Sequence, residues 1–167
     1  MAIDRFNGEN AFLSNFLTCS IVFDPDTKEV SDFLSKFNIK HPEKFTYVNA
    51  EQLFQALKTD VKSERAGIQQ VQSAPFAKRR GKEVTLRSNW NEIRVEVMKF
   101  VVWLKFSQNP DLAKQLLDTK DEELIEGNTW NDTFWGVCRG RGSNHLGKIL
   151  MYVRSVLRSH SSPLLEL

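Results

Sequence analysis

Trp90, Ile93, Val97, Val101 and Leu104 recur at spacings of 3, 4, 4 and 3. Only an α-helix turns residues at those steps onto one face, so this stretch commits the chain to a helix of at least four turns with a stripe to bury. Asn89 stands at the N-cap position, with Glu92 where the partner of a capping box belongs. Asn109-Pro110 ends the helix and begins another, whose apolar positions are Leu112, Leu116 and Leu117. Such a stripe needs other elements to cover it, and the rest of the chain offers mostly short ones.

Ile21-Val22-Phe23 and Phe45-Thr46-Tyr47-Val48 are short β-rich runs expected to pair with each other. Residues 24–45 between them read as a polar insertion with Pro25 and Pro42, in which Phe33, Leu34 and Phe37 make one amphipathic turn. Asn49 then caps a helix expected over residues 50–59, with Gln52 at the capping-box position. Residues 63–72 are helix-compatible with Ile68 and Val71 inward, and Ser73-Ala74-Pro75 opens a short basic helix closed near Gly81. Ser143-Asn144 caps a last helix, in which Leu146, Leu150, Val153 and Leu157 repeat at helical spacing before Pro163. The expected class is α+β: one helix-dominated domain over residues 1–167 with a small sheet.

At 167 residues such a domain buries roughly two thirds of the surface its unfolded chain exposes. Cys19 and Cys138 form no CxxC pair, and His41, His145 and His160 make no metal-binding pattern. No metal is expected through these residues, no cofactor is called for, and the cysteine usage fits a reducing, cytoplasmic compartment. No segment approaches the length of an apolar membrane span. The net charge is only +2, yet residues 76–160 hold 15 Lys and Arg against 10 Asp and Glu, a balance suited to phosphates or to an ordinary solvated surface. Walker A, GxGxxG and GxSxG patterns are absent.

The residues most able to carry chemistry lie on the short helix after Asn49. The seven-residue step from Glu51 to Lys58 returns to within about 20° of the same direction, placing a carboxylate and an amine on one face with Gln55 between them. Leu53, Phe54 and Leu57 on the same helix point to burial, and buried Glu and Lys are rare unless paired or functional. Geometry alone leaves a surface ion pair and an active site both open. Trp130 and Trp135 flank Asp132 in a loop, either as caps on the core edge or as an aromatic clamp for a flat base, with Asp132 holding a ribose hydroxyl or an amide. Lys78, Arg79, Arg80 and Lys82 read first as a solvated face, and otherwise as phosphate contacts beside a helix N-terminus. Gly147 in the last helix signals close backbone packing or ligand approach.

Taken in order, five stretches carry a resemblance: residues 12–16 (Phe-Leu-Ser-Asn-Phe), residues 51–58, and Trp90…Arg94…Met98…Lys105 through Asn109. They continue with Leu124-Ile125-Glu126…Asp132…Trp135-Gly136 and then with Gly142 to Lys148, Leu150-Met151 and Arg154. The set resembles the NADAR (YbiA-like) superfamily, spans nearly the whole chain, and is specific as an ordered set though each part is weak.

The resemblance implies a helix-rich fold and chemistry at ribose N-glycosidic bonds. Some members are similar to N-glycosidases of early riboflavin-pathway intermediates; others look like hydrolases that strip ADP-ribose from guanine in DNA, as antitoxins or phage counter-defence proteins. It implies Glu51 and Lys58 as catalytic residues. Ser14, Asn15, Trp90, Trp130, Asp132, Trp135 and Asn144 follow as pocket residues, and Arg80 and Lys82 as phosphate contacts. Two departures stand out: Gln52 where the family often has His, and Arg80-Gly81-Lys82 in place of the common Gly-Arg. The expected substrate is ADP-ribosylated guanine in DNA, with no membrane and no obligate protein partner. The rival expectations are a riboflavin-intermediate N-glycosidase and a non-catalytic ADP-ribose-binding module.

Overall fold

The computed structural model describes residues 1–159; His160 and the helix stop expected at Pro163 lie outside them. Along the chain run β1 (Ala2–Ile3), a 3-10 helix (Gly8–Leu13), β2 (Ile21–Phe23), α1 (Lys28–Phe37), β3 (Phe45–Tyr47), α2 (Ala50–Ala56) and α3 (Lys62–Gln69). Then come α4 (Ala74–Gly81), α5 (Trp90–Ser107), α6 (Pro110–Asp118), β4 (Glu123–Leu124), β5 (Gly127–Asn128), β6 (Val137–Cys138) and α7 (His145–Ser159). The class is α+β and helix-dominated, as the sequence implies. The small sheet is three separate two-stranded pairs: β2 with β3 antiparallel, β1 with β4 parallel and β5 with β6 parallel.

Helix α5 is the axis of the core. Trp90, Ile93, Val97, Val101 and Leu104 are all buried, and so are Phe100, Val102, Trp103 and Phe106 on its other sides. A helix apolar all round its second half must be enclosed, and α2, α6, α7 and β2 pack around it. Ile21 pairs with Tyr47 and Phe23 with Phe45, the expected partnership of the two β-rich runs.

Three local expectations are corrected. The polar stretch 24–45 holds a ten-residue helix, α1, rather than a single turn. Thr27 caps it by accepting from Val30 N, and Phe33 stacks on Phe100 of α5 at 4.0 Å. Asn89 makes no cap on α5. Its φ of −97° and ψ of 12° are near-helical, and its side chain donates to Phe37 O at 3.1 Å, joining the start of α5 to the end of α1. The helix expected over residues 50–59 stops at Ala56.

Candidate active site

Helix α2 has two polar faces. Asn49 Oδ1 accepts from Gln52 N at 2.8 Å, the expected cap, and starts the helix at a fixed angle. Glu51 N donates to Asn15 O at 3.1 Å, which binds the loop of Ser14, Asn15 and Phe16 to the first turn. Lys105, fully buried on α5, holds the same loop by donating to Phe12 O at 2.7 Å and Ser14 O at 2.8 Å. Burial brings the Lys105 amine down to about 8.

Glu51 and Lys58 face a cavity of about 810 Å³ enclosed by the N-terminal segment, the 14–16 loop, α2, α4 and residues 125–140. Glu51 is only 7% exposed, and its Oε1 accepts from Gln55 Nε2 at 2.6 Å. Burial pushes its carboxyl above the usual range, against the Gln55 hydrogen bond and the nearby Lys78 and Lys58. Lys58 is half-buried beside the Phe54 ring. Desolvation pulls its amine down, as do Lys78, Lys82 and Arg94, while Glu51 opposes them. Each partner is therefore moved toward its neutral form. Gly81 permits this arrangement, because a Cβ there would overlap Gln55 Oε1, and only glycine lets α4 approach so closely.

The other sequence candidates divide. Ser14, Asn15, Trp130, Asp132, Trp135 and Lys82 line the cavity. Asp132 Oδ1 accepts from Phe134 N at 3.2 Å and Trp135 N at 2.9 Å, so one of its oxygens already serves the loop. Trp135 packs edge-on against Phe54, and Trp130 stands 61% exposed.

Three candidates do not line the cavity. Trp90 lies behind Phe54, with ring centroids 5.2 Å apart, and supports the wall from the core. Asn144 Oδ1 accepts from Glu126 N at 3.0 Å and its Nδ2 donates to Leu124 O at 2.9 Å, which joins the start of α7 to β4. Gly147 lets that strand approach, since a Cβ would strike Leu124 O, so of its two readings the structure gives close packing. Arg80 is exposed on the other side of α4, near Gly67.

Within the basic run, Lys78 and Lys82 line the cavity one helical turn apart, while Arg79 and Arg80 point elsewhere. They belong to the last turn and C-cap of α4, so it is this helix's C-terminal end, not its N-terminus, that supplies the cations. The sequence offered Lys78 only as one of four alternative phosphate contacts and Glu126 only among the residues that carry the resemblance, with no site role for it, yet both line the cavity. The i, i+4 spacing of Lys78 and Lys82 was the available signal for the first. Glu126 sits in a stretch with no periodicity to reveal it.

The departure at Gln52 also finds its explanation. Its Oε1 accepts from Val48 N at 3.0 Å and its Nε2 donates to Ile68 O, Gln69 O and Val71 O. That side chain faces the end of α3, away from the cavity.

Known proteins resemble this chain in sequence and in fold. The NADAR domain model matches residues 4–158. The chain is 36% identical over 155 residues to a riboflavin biosynthesis protein of Vibrio vulnificus, covering 91% of this chain but only 37% of that longer protein. It is 36% identical over 115 residues to N-glycosidase YbiA of Escherichia coli, covering 67% of this chain and 71% of that one. The solution structure of the E. coli YbiA protein superposes with a TM-score of 0.74 at 29% identity, over 95% of this chain and 84% of that one. A match over nearly the whole chain, in sequence and in fold, makes this protein a member of the NADAR family.

Proposed function

We propose that the protein is an N-glycosidase that hydrolyses the bond between ribose C1 and a base nitrogen. The observation that carries this reading is the convergence of Glu51 and Lys58 on one large cavity with their proton affinities displaced in opposite directions. As the C1–N bond breaks, positive charge develops at C1, and the Glu51 carboxylate stabilises it. Neutral Lys58 then adds to C1, and the C1–O4′ bond opens as a proton passes from the Lys58 nitrogen to O4′, leaving a Schiff base between C1 and Lys58. Water then hydrolyses the resulting Schiff base, freeing the amine and restoring the C1 oxygen. The names of the relatives in E. coli and Vibrio support the bond class.

For the substrate we favour ADP-ribosylated guanine in DNA. A cavity of about 810 Å³ lies in the upper part of the range for small-molecule sites, which suits a dinucleotide-sized ligand. Arg5, Lys78, Lys82 and Arg139 offer charge to a pyrophosphate. Phe16, 44% exposed, and Trp130 offer flat apolar faces on which a base can stack. The second reading, a phosphorylated ribosylamine of the riboflavin pathway, is favoured by the relative named for riboflavin biosynthesis and needs only part of this space.

Incubation with an ADP-ribosylated DNA oligonucleotide and, separately, with the phosphoribosyl aminopyrimidine decides between them. The first reading expects released ADP-ribose and restored guanine, the second ribose phosphate. Tight binding of ADP-ribose that survives Glu51→Gln and Lys58→Ala, with no turnover by the parent, overturns both in favour of a binding module. Borohydride reduction during turnover is expected to fix the sugar on the peptide containing Lys58, and its absence there removes the Schiff-base step.

A further inference from the structure

One carboxyl in the cavity has no part in the chemistry above. Glu126 Oε2 is buried and has no hydrogen-bond partner, yet the residue lines the same cavity as Glu51 and Lys58. Its backbone is fixed on both sides. Its N–H donates to Asn144 Oδ1 at 3.0 Å, and its carbonyl accepts from Val137 N at 2.8 Å. Gly136 makes room for it, because a Cβ there would overlap Glu126 O and press on Glu126 Cγ. A buried carboxyl oxygen without a partner costs stability, and three separate features hold it in place all the same. A carboxyl held at such cost on the cavity wall, with one oxygen shielded from water and unpaired, fits a task in handling a proton there.

We propose that Glu126 is the acid that protonates the departing base nitrogen, an inference that rests on the N-glycosidase reading. When the C1–N bond breaks, its electron pair passes to the nitrogen and the Glu126 carboxyl proton follows, so the base leaves neutral and Glu126 is left as carboxylate. The hydrolytic water then gives its hydroxyl to C1 and its proton to Glu126, which restores the acid.

The surroundings of the two buried carboxyls support this division of roles. Both are desolvated, but the next influences differ in sign. Glu51 has a hydrogen bond from Gln55 and the ammoniums of Lys78 and Lys58, which favour its charged form against the Asp132 carboxylate, although burial still leaves its carboxyl raised. Glu126 has the carboxylate of Asp132, which disfavours charge, with Lys78 opposing, and its carboxyl rises to about 7. Asp4 and Arg5 of the N-terminal segment, Lys82 of α4 and Arg139 are the other charged groups facing the same cavity. Two buried carboxyls in one site, Glu51 hydrogen-bonded by Gln55 and close to the Lys58 amine, Glu126 with an unpartnered oxygen and next to Asp132, divide between them the roles of charge stabiliser and general acid.

The test joins a titration to kinetics. In protein labelled with ¹³C at glutamate side-chain carboxyls, one resonance is expected to titrate near pH 7 and to vanish in Glu126→Gln. This reading is made on the resting parent protein and needs no turnover. Glu126→Gln is expected to lose roughly 100-fold or more in kcat with KM within about threefold, and to lose the fall in rate above about pH 7. Glu51→Gln is expected to keep the titration near pH 7 while losing activity. A Glu126 resonance titrating in the ordinary carboxylate range overturns the proposal, and so does a Glu126→Gln protein that turns over like its parent. In either case an active parent leaves the N-glycosidase reading standing. A parent that cleaves no ribosyl–nitrogen bond overturns that reading and this proposal together.

Discussion

The two polar faces of α2 differ in what they leave unsatisfied. On the side of α3 and β3 nearly every polar group is used. Gln52 is saturated by four backbone groups, and Arg65, 1% exposed, spends its guanidinium on Glu43 and on the carbonyls of Lys40 and Thr59. His41 Nε2 lies 2.7 Å from Tyr47 Oη, which also accepts from Gln69 Nε2 at 3.0 Å. On the cavity side Gln55 Oε1 and Glu126 Oε2 are buried without partners, and Glu51 and Lys58 are both displaced toward neutrality. One helix thus divides a network that is nearly closed, with His41 Nδ1 its buried atom lacking a hydrogen bond, from one left open at two oxygens on the cavity side. The closed network serves the fold, and the open one is available to a ligand.

If that division is right, substitutions on the two faces have opposite signatures. The largest effect is expected from Lys58→Ala and Glu51→Gln, which should each lower turnover by about 10⁴-fold, roughly 5 kcal/mol of barrier. Glu51→Gln should also leave the protein at least as stable at neutral pH, because it removes a carboxylate whose burial disfavours its charge. Steady-state rates and urea midpoints measured on the same samples check both halves, and a large loss of stability in Glu51→Gln would break the comparison.

Arg65→Met should do the reverse. Breaking the buried pair with Glu43 is expected to cost about 3–5 kcal/mol in urea unfolding while the surviving folded fraction keeps its kcat.

The third prediction is a pH dependence. Burial holds the His41 imidazole at about 4, below its ordinary 6.5. Between these values the unfolded chain binds a proton that the folded one refuses. Stability is therefore complete above about pH 6.5 and is lost as pH falls toward 4, by about 3 kcal/mol at most. Urea midpoints across that window should lose this slope in His41→Gln. Glu43, held down to about 2 chiefly by its bond from Arg65 against the opposing effect of burial, acts lower, between its ordinary 4.5 and 2.

The smallest effect is expected where the two helices touch. Gly81→Ala forces Gln55 aside, costs about 1–2 kcal/mol, and lowers kcat roughly tenfold by releasing Glu51. A kcat unchanged in Gly81→Ala would show that Gln55 does not orient Glu51.

The parts of this molecule legible in the sequence were those whose signal is local. The stripe from Trp90 to Leu104 declared α5, whereas Glu51 and Lys58 line one cavity even though α2 ends at Ala56, short of the seven-residue helical step that was to join them. Helix α1 was underread because its exposed face is polar, although Thr27 as cap and Val30 and Phe33 inward were there to see. Asn89 and Asn144 were read as caps or ligand groups, but their side chains act on distant backbone, Phe37 O for one and Leu124 O for the other. Glu126 was hidden for the same reason. Its placement depends on Asn144, Val137 and Gly136, none of which is its neighbour in sequence.

The pairing of β1 with β4 bears on how this protein is made. Ala2 and Ile3 lie in parallel register with Glu123 and Leu124, and Ile125 N donates to Ile3 O at 2.8 Å. Asp4, Arg5 and Phe6, which follow β1, form part of the cavity wall. During synthesis Ala2 and Ile3 must wait for a strand that emerges some 120 residues later. The hairpin of β2 and β3 and the packing of α2 and α6 on α5 can gather before that, since those elements all precede β4, whereas α7 joins α5 only afterwards. Closing so long a loop is slow, so the pocket is completed late in the folding of this domain, only once residues 123–140 have joined residues 2–6.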